Sequence, residues 1–182
     1  MFAVTRIRAV GVLAGYLADV VLGDPQRGHP VAGFGAAAAA LERVSYRDAR
    51  AAGALHAGVL VSALVLLGAA LQRGLRRRGR LLFAATTATA TWISLGGTSL
   101  LHTAEAMCEL LSRDDVEAAR HLLPSLCGRD PAVLDAAGLT RAALESVAEN
   151  TSDAQVAPLL WAAVGGPPAV LAYRGVNTLD SM

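Results

Sequence analysis

The chain has 182 residues, 54% hydrophobic, 4% aromatic and 17% charged, with a formal net charge of +1. Soluble domains carry about 25% charged residues, so this balance is tilted toward lipid, while the near-zero net charge gives no field to gather nucleic acid. All 16 basic residues are arginine, which excludes a Schiff-base lysine and the lysine of a phosphate-binding Gly-rich loop. Cys108 and Cys127 are too few and too separated for a disulfide framework or a zinc site.

In chain order, Arg6 and Arg8 precede a mostly apolar run from Ala9 to Leu22, interrupted by Asp19. No small-x-small cleavage pattern follows before Gly23-Asp24-Pro25, so the run reads as an uncleaved, partly embedded helix. The alanine run 36–40 favours helix by propensity. Ala51 to Gln72 contains no formal charge and is long enough to cross a hydrocarbon core, which takes about 20 residues. Leu81 to Leu101 is a second uncharged stretch and is predicted as a further span. Between them Arg73, Arg76, Arg77, Arg78 and Arg80 predict a tight turn at the membrane face, cytoplasmic by the positive-inside rule.

From His102 to Asp153 the chain becomes polar, with ten acidic residues and four arginines. Val116, Ala119, Leu122, Leu123 and Leu126 recur at helical intervals, and Thr140 is a predicted N-cap for a helix running to about Asn150. Ala154 to Tyr173 is apolar again, but Pro158, Gly165, Gly166, Pro167 and Pro168 interrupt it. Such breaks predict two short helices packed on protein or a re-entrant hairpin. Strand-like alternation persists nowhere, so the predicted class is all-α: a multi-pass membrane protein with a polar helical segment, organised as 1–101, 102–153 and 154–182 of a single membrane-embedded domain.

Three constellations carry chemistry. Asp24 and His29 stand between prolines 25 and 30, which fix the backbone beside an acid and an imidazole; the same pattern also suits a rigid turn. Glu145, Glu149 and Asp153 are four apart, so on a helix they share one face and repel one another. A divalent cation such as Mg²⁺ would relieve that repulsion, while a solvated acidic face is the plainer reading. Asn177 and Asp180 lie just past the broken apolar stretch, where polar groups at membrane depth mark a site.

Asp19 with Gly23-Asp24-Pro25 and His29-Pro30-Val31, Ala119-Arg120, Gly128-Arg129-Asp130, Glu145-Ser146, Glu149-Asn150, Asp153, Ala157-Pro158, Tyr173 and Asn177-Thr178-Leu179-Asp180-Ser181-Met182 together form an ordered set. The set resembles the adenosylcobinamide-phosphate synthase family of cobalamin biosynthesis, integral membrane proteins, from about Gly15 to the last residue. The family's chains are longer, so this one looks like an N-terminal part.

The resemblance implies a multi-pass enzyme of the cell membrane that joins adenosylcobyric acid to an aminopropanol phosphate or related amino alcohol through an amide. It implies ATP and Mg²⁺ as requirements, a corrinoid as substrate, and a homo-oligomer or other enzymes of the same pathway as partners. A carboxylate does not condense with an amine unaided because its leaving group is oxide; activation by phosphoryl transfer answers that. Glu145, Glu149 and Asp153 are the expected Mg²⁺ ligands, with Asp24 and Asp180 as further acids. Arg120, Arg129 and Arg174 are the expected phosphate holders, Asn150 and Asn177 would orient amide or ribose groups, and His29 would take the ammonium proton. Access to ATP would place these motifs at the cytoplasmic face, with Leu81 to Leu101 folding back without crossing. A different class of reading is an inactive fragment or a non-catalytic membrane protein that docks a partner.

Overall fold

The computed structural model describes residues 2–23 and 28–182 and is helical, with no strand among the described residues. In chain order the helices are α1 (Phe2–Leu22), α2 (Pro30–Ser45), α3 (Arg50–Arg78), α4 (Arg80–Trp92), α5 (Gly97–Ser112), α6 (Val116–Leu122), α7 (Ala136–Thr151), α8 (Ala157–Gly165) and α9 (Pro167–Asp180).

α3 is one continuous rod of 29 residues, about 43 Å long. Among the described residues it is the one helix long and apolar enough to cross a membrane, and almost none of its most apolar window is buried. A soluble protein's core helix would be mostly buried, so the exposed apolar face of α3 is of a kind suited to lipid or to other protein. The arginines expected in a tight turn extend the helix instead: Arg73, Arg76, Arg77 and Arg78 lie in its last turns, favoured there by the helix dipole, and the chain reverses at Gly79 alone (φ 144°).

The predicted span Leu81–Leu101 is broken. α4 ends at Trp92 after 13 residues, about 20 Å and too short for a core of about 30 Å, and α5 starts afresh at Gly97. Thr86, Thr87, Thr91 and Ser94 turn their hydroxyls onto carbonyls four residues back, which satisfies them inside the packed helices. α1 lies along α4 in parallel. A Cβ on Gly11 would stand 2.7 Å from Thr87 Cβ, and one on Gly15 would stand 2.6 Å from the Ala88 carbonyl. Two glycines four apart thus let the backbones meet, as small-residue pairs do between membrane helices.

Pro158 does not break its stretch as expected; it displaces a turn. Without an N–H it cannot bond the Ala154 carbonyl, and the chain passes through a π-turn at Ser152–Val156 before α8. The Ala154 carbonyl accepts the Gly96 N–H at 3.0 Å, so the break after α4 is docked onto the break before α8. The second break is Gly166 (φ 71°), where α8 folds back onto α9, giving the two short packed helices. Arg8 donates to the carbonyls of Ala163 and Val164 and closes the C-terminus of α8.

Two apolar clusters hold the chain. Ala90, Ala162 and Val170 join α4, α8 and α9, with Val12 of α1 against them. Met107, Ala119, Leu123, Leu139, Ala142 and Ala143 make the core of the polar half, with Val116, Leu122 and Leu126 packed on it as their spacing predicts. The N-cap of α7 is Asp135, whose carboxylate accepts the Gly138 N–H at 2.7 Å; the expected cap, Thr140, lies inside the helix and bonds the Ala136 carbonyl.

Candidate functional site

The polar end of the bundle is built where α1, α4, α5, α9 and the π-turn meet. Asp19 of α1 is fully buried, and its Oδ2 accepts the Thr98 N–H at 3.3 Å and the Thr98 hydroxyl at 3.1 Å. Trp92 at the end of α4 donates its indole N–H to the Gly23 carbonyl at 3.1 Å, fixing the exit of α1. Gln155, in the π-turn, is packed so tightly on Gly97 that a Cβ there would stand 2.0 Å from its Oε1.

On the neighbouring side, Asn177 Nδ2 donates to Asp153 Oδ2 at 3.2 Å, and Arg174 Nη1 donates to Asn177 Oδ1 at 3.3 Å. Tyr173 donates its hydroxyl to the Asp153 carbonyl at 3.1 Å. The π-turn therefore presents Asp153 to α9, and three residues named from sequence, Asp153, Asn177 and Arg174, form one hydrogen-bonded line.

Other expected site residues lie elsewhere. Glu145 pairs with Arg129 across the polar half, each about half exposed. Glu149 is exposed on α7, and Asp180 is exposed in the last turn of α9. Arg120 holds the Leu134 carbonyl at 2.9 Å and pairs with Glu117, tying α6 to the following loop. Asn150 donates to Ser146 on its own helix at 2.9 Å. α9 packs on α3, α8, α2 and α4, whereas α5, α6 and α7 pack among themselves, so Arg120, Arg129 and Glu145 belong to a different neighbourhood from Arg174 and Asn177. Asp24 lies outside the described residues.

His29 caps α2: its Nδ1 accepts the Val31 N–H at 3.1 Å. That bond assigns the proton of the neutral ring to Nε2.

Among the described residues no group of three or more acidic, histidine or cysteine side chains is arranged to hold a metal. The carboxylates expected to share Mg²⁺ are instead engaged or apart, Glu145 with Arg129 and Asp153 with Asn177. This set does not fit the ion by itself. Sequence reasoning left Asp19, Thr98, Trp92 and Gln155 out of the site. Asp19 carried a usable signal as the one acid inside an apolar run, whereas Thr98 and Gln155 gave none, because their role exists only across 79 residues of chain or across a π-turn.

The elements combine into an all-helical protein with one long apolar helix and a buried polar cluster at helix ends. The CobD/Cbib protein family model matches residues 12–182, and the chain belongs to that family. It is 69% identical over 183 residues to the cobalamin biosynthesis protein CobD of Mycobacterium tuberculosis (strain CDC 1551 / Oshkosh), covering 100% of this chain and 58% of the relative. The protein of the same name from Chromobacterium violaceum is 37% identical over 91% of this chain and 54% of the relative, and that from Geobacter metallireducens 38% over 94% and 55%. The chain thus spans just over half the length of the curated relatives it matches. No solved structure matches it.

Proposed function

We propose that this chain forms part of a multi-pass enzyme of the cell membrane acting in cobalamin biosynthesis, which joins the carboxylate of a corrinoid acid to the amine of an amino-alcohol phosphate. The observation that supports this reading is the line Arg174–Asn177–Asp153, a cation, an amide and a carboxylate held in order where α9 meets the π-turn. Arg174 holds the phosphate of the amino alcohol through its planar fork. Asn177 keeps Asp153 as an acceptor facing the amine, whose ammonium form donates to it on binding.

ATP as the activating reagent and Mg²⁺ with it remain part of the proposed reaction. No step is routed through them, because among the described residues the carboxylates do not gather around a cation, and the chain has no lysine for a phosphate loop. Arg129 and Arg120 are proposed as substrate contacts of lower rank, since they lie in the polar half, in a different neighbourhood from Arg174 and Asn177.

Helix packing and the arginine pattern support one membrane orientation. α1 and α4 run parallel and α3 and α9 antiparallel, so Arg6, Arg8 and Arg73 to Arg80 share one end, while Arg174 and Asn177 lie about 20 Å along α3 from it. The sequence reading put the arginine turn and the motifs at the same face; the fold separates them. We place the arginine end in the cytoplasm, seven arginines outweighing the hydropathy of a broken stretch, so ATP would have to reach the site from that end, about 20 Å along the bundle.

Complementation of a strain blocked in the amide-forming step tests the activity. The complete natural protein should restore corrinoid amidation and its Asp153→Ala variant should not, with both recovered in the membrane fraction. Full restoration by the variant would remove Asp153 from the mechanism.

A further inference from the structure

A cavity of about 510 Å³ runs between α3 and the wall formed by α4 and α9, with the start of α2 at one end. Along α3 it extends from Leu64 to Leu75, eleven residues or about 16 Å. Its volume is that of a small-molecule site, in the range of roughly 300–1,000 Å³.

The walls are dry. Three of the four hydroxyls that line it are bonded to carbonyls of their own helix turn: Thr86 donates to the Leu82 carbonyl at 2.7 Å, Ser94 to Ala90 at 2.8 Å and Thr178 to Arg174 at 2.7 Å. A buried water needs two to four polar partners, and this lining leaves methyl and methylene groups to meet the contents. Arg174 is the one charged residue among the described lining residues, and it stands toward the α2 end. The groove is therefore long, apolar and marked by a cation near one end.

These features select an occupant. A polar metabolite would forfeit its hydration against the leucine wall. A single acyl chain matches the length, and a negative headgroup complements Arg174. α3, the wall of the cavity, is also the helix suited to hydrocarbon, so a lipid tail reaches the opening directly.

We propose that this cavity binds one acyl chain of an anionic glycerophospholipid, with the headgroup phosphate at Arg174. The inference rests on the membrane reading above. It makes the lipid a neighbour of the Arg174–Asn177–Asp153 line, so that headgroup and substrate phosphate compete for one guanidinium.

The complete natural protein is purified in a non-ionic detergent and titrated with dioleoyl phosphatidylglycerol or dioleoyl phosphatidylcholine, with retained lipid counted by native mass spectrometry. One phosphatidylglycerol should be retained at least about tenfold more tightly than phosphatidylcholine. Ala85→Trp, which fills the cavity from α4, should abolish retention, and Thr89→Trp from the same wall should do so where the first variant fails to fold. Arg174→Gln should erase the headgroup preference while leaving weak retention of both lipids. A photoreactive residue at Leu67 in the otherwise natural protein should label lipid. Absence of saturable retention, retention by a folded tryptophan variant, or labelling of a protein segment or second copy in place of lipid would overturn the proposal. Carbonate washing of the source membranes separates the two readings: protein that stays in the pellet yet binds no lipid sinks the cavity assignment alone, whereas protein released to the supernatant sinks both.

Discussion

Thr98 is fastened to Asp19 from 79 residues away by its N–H and its hydroxyl, the latter lying 2.9 Å from the Asp19 carbonyl and 3.1 Å from its carboxylate. The pair locks the start of α5 to the end of α1 and leaves a carboxylate oxygen inside protein. Removing the hydroxyl while keeping the shape, as in Thr98→Val, should therefore lower stability by about 1–3 kcal/mol, the usual cost of a buried group deprived of its partner. Thr98→Ser should retain most of it. A thermal midpoint in detergent unchanged by Thr98→Val would show that the clamp contributes nothing.

A second expectation concerns the close approach of α1 to α4. A Cβ on Gly15 meets backbone, the Ala88 carbonyl, at 2.6 Å, so Gly15→Ala must push the helices apart. The cost should be about 1–3 kcal/mol, as for other overpacked interiors. Gly33 in α2 meets nothing within 4 Å, and Gly33→Ala should be neutral or stabilising by up to about 1 kcal/mol through helix propensity. Equal effects at the two glycines, read as thermal midpoints, would contradict the packing.

Much of the fold was legible because apolar spacing is local. The 116–126 stripe and the long run ending at Gln72 were read from period and length, and both hold. What escaped depends on partners distant in sequence. The Leu81–Leu101 stretch has a span's composition, but Gly96 is held by the Ala154 carbonyl that Pro158 leaves unbonded. The glycines at 11 and 15 carry a small-x-x-x-small signature, but the signature does not say which helix lies opposite, and α4 is about 70 residues away in the chain. For the site, ordered motifs named Asp153, Arg174 and Asn177, whereas the four-residue acidic spacing could not foresee that Arg129 engages Glu145.

Orientation is open to chemical labelling. After Cys108 and Cys127 are replaced by serine, a cysteine introduced by Arg77→Cys should react with an impermeant maleimide only in opened cells or inverted vesicles. Labelling from outside intact cells would reverse the assigned topology.

The Asn177–Asp153 bond separates positioning from mere packing. Asn177→Leu should remove the contact that orients Asp153 and reduce turnover at least about tenfold, with KM for the corrinoid little changed. Asn177→Asp sets two carboxylates side by side and should be worse, since like charges repel where the amide donated. A purely structural asparagine would give the opposite pattern, with a lower thermal midpoint and full turnover in whatever protein stays folded.

Arg129 and Glu145 offer the sharpest test of the lower-ranked contacts. Their side chains are each 52% exposed, so the ion pair is screened by water and should couple by no more than about 1 kcal/mol in a double-mutant cycle. Exchanging the two charges, Arg129→Glu with Glu145→Arg, should therefore leave the thermal midpoint near that of the natural protein. Its effect on catalysis differs between the readings. If Arg129 receives a substrate phosphate, the exchanged protein presents a carboxylate there and KM for the amino-alcohol phosphate rises steeply. If the pair only joins the loop at Gly128 to α7, the exchange restores both stability and kinetics, and Arg129→Glu alone should be destabilised by the two acids it brings together. We expect the exchanged protein to be stable and its KM raised. A natural KM in that variant would confine phosphate recognition to Arg174.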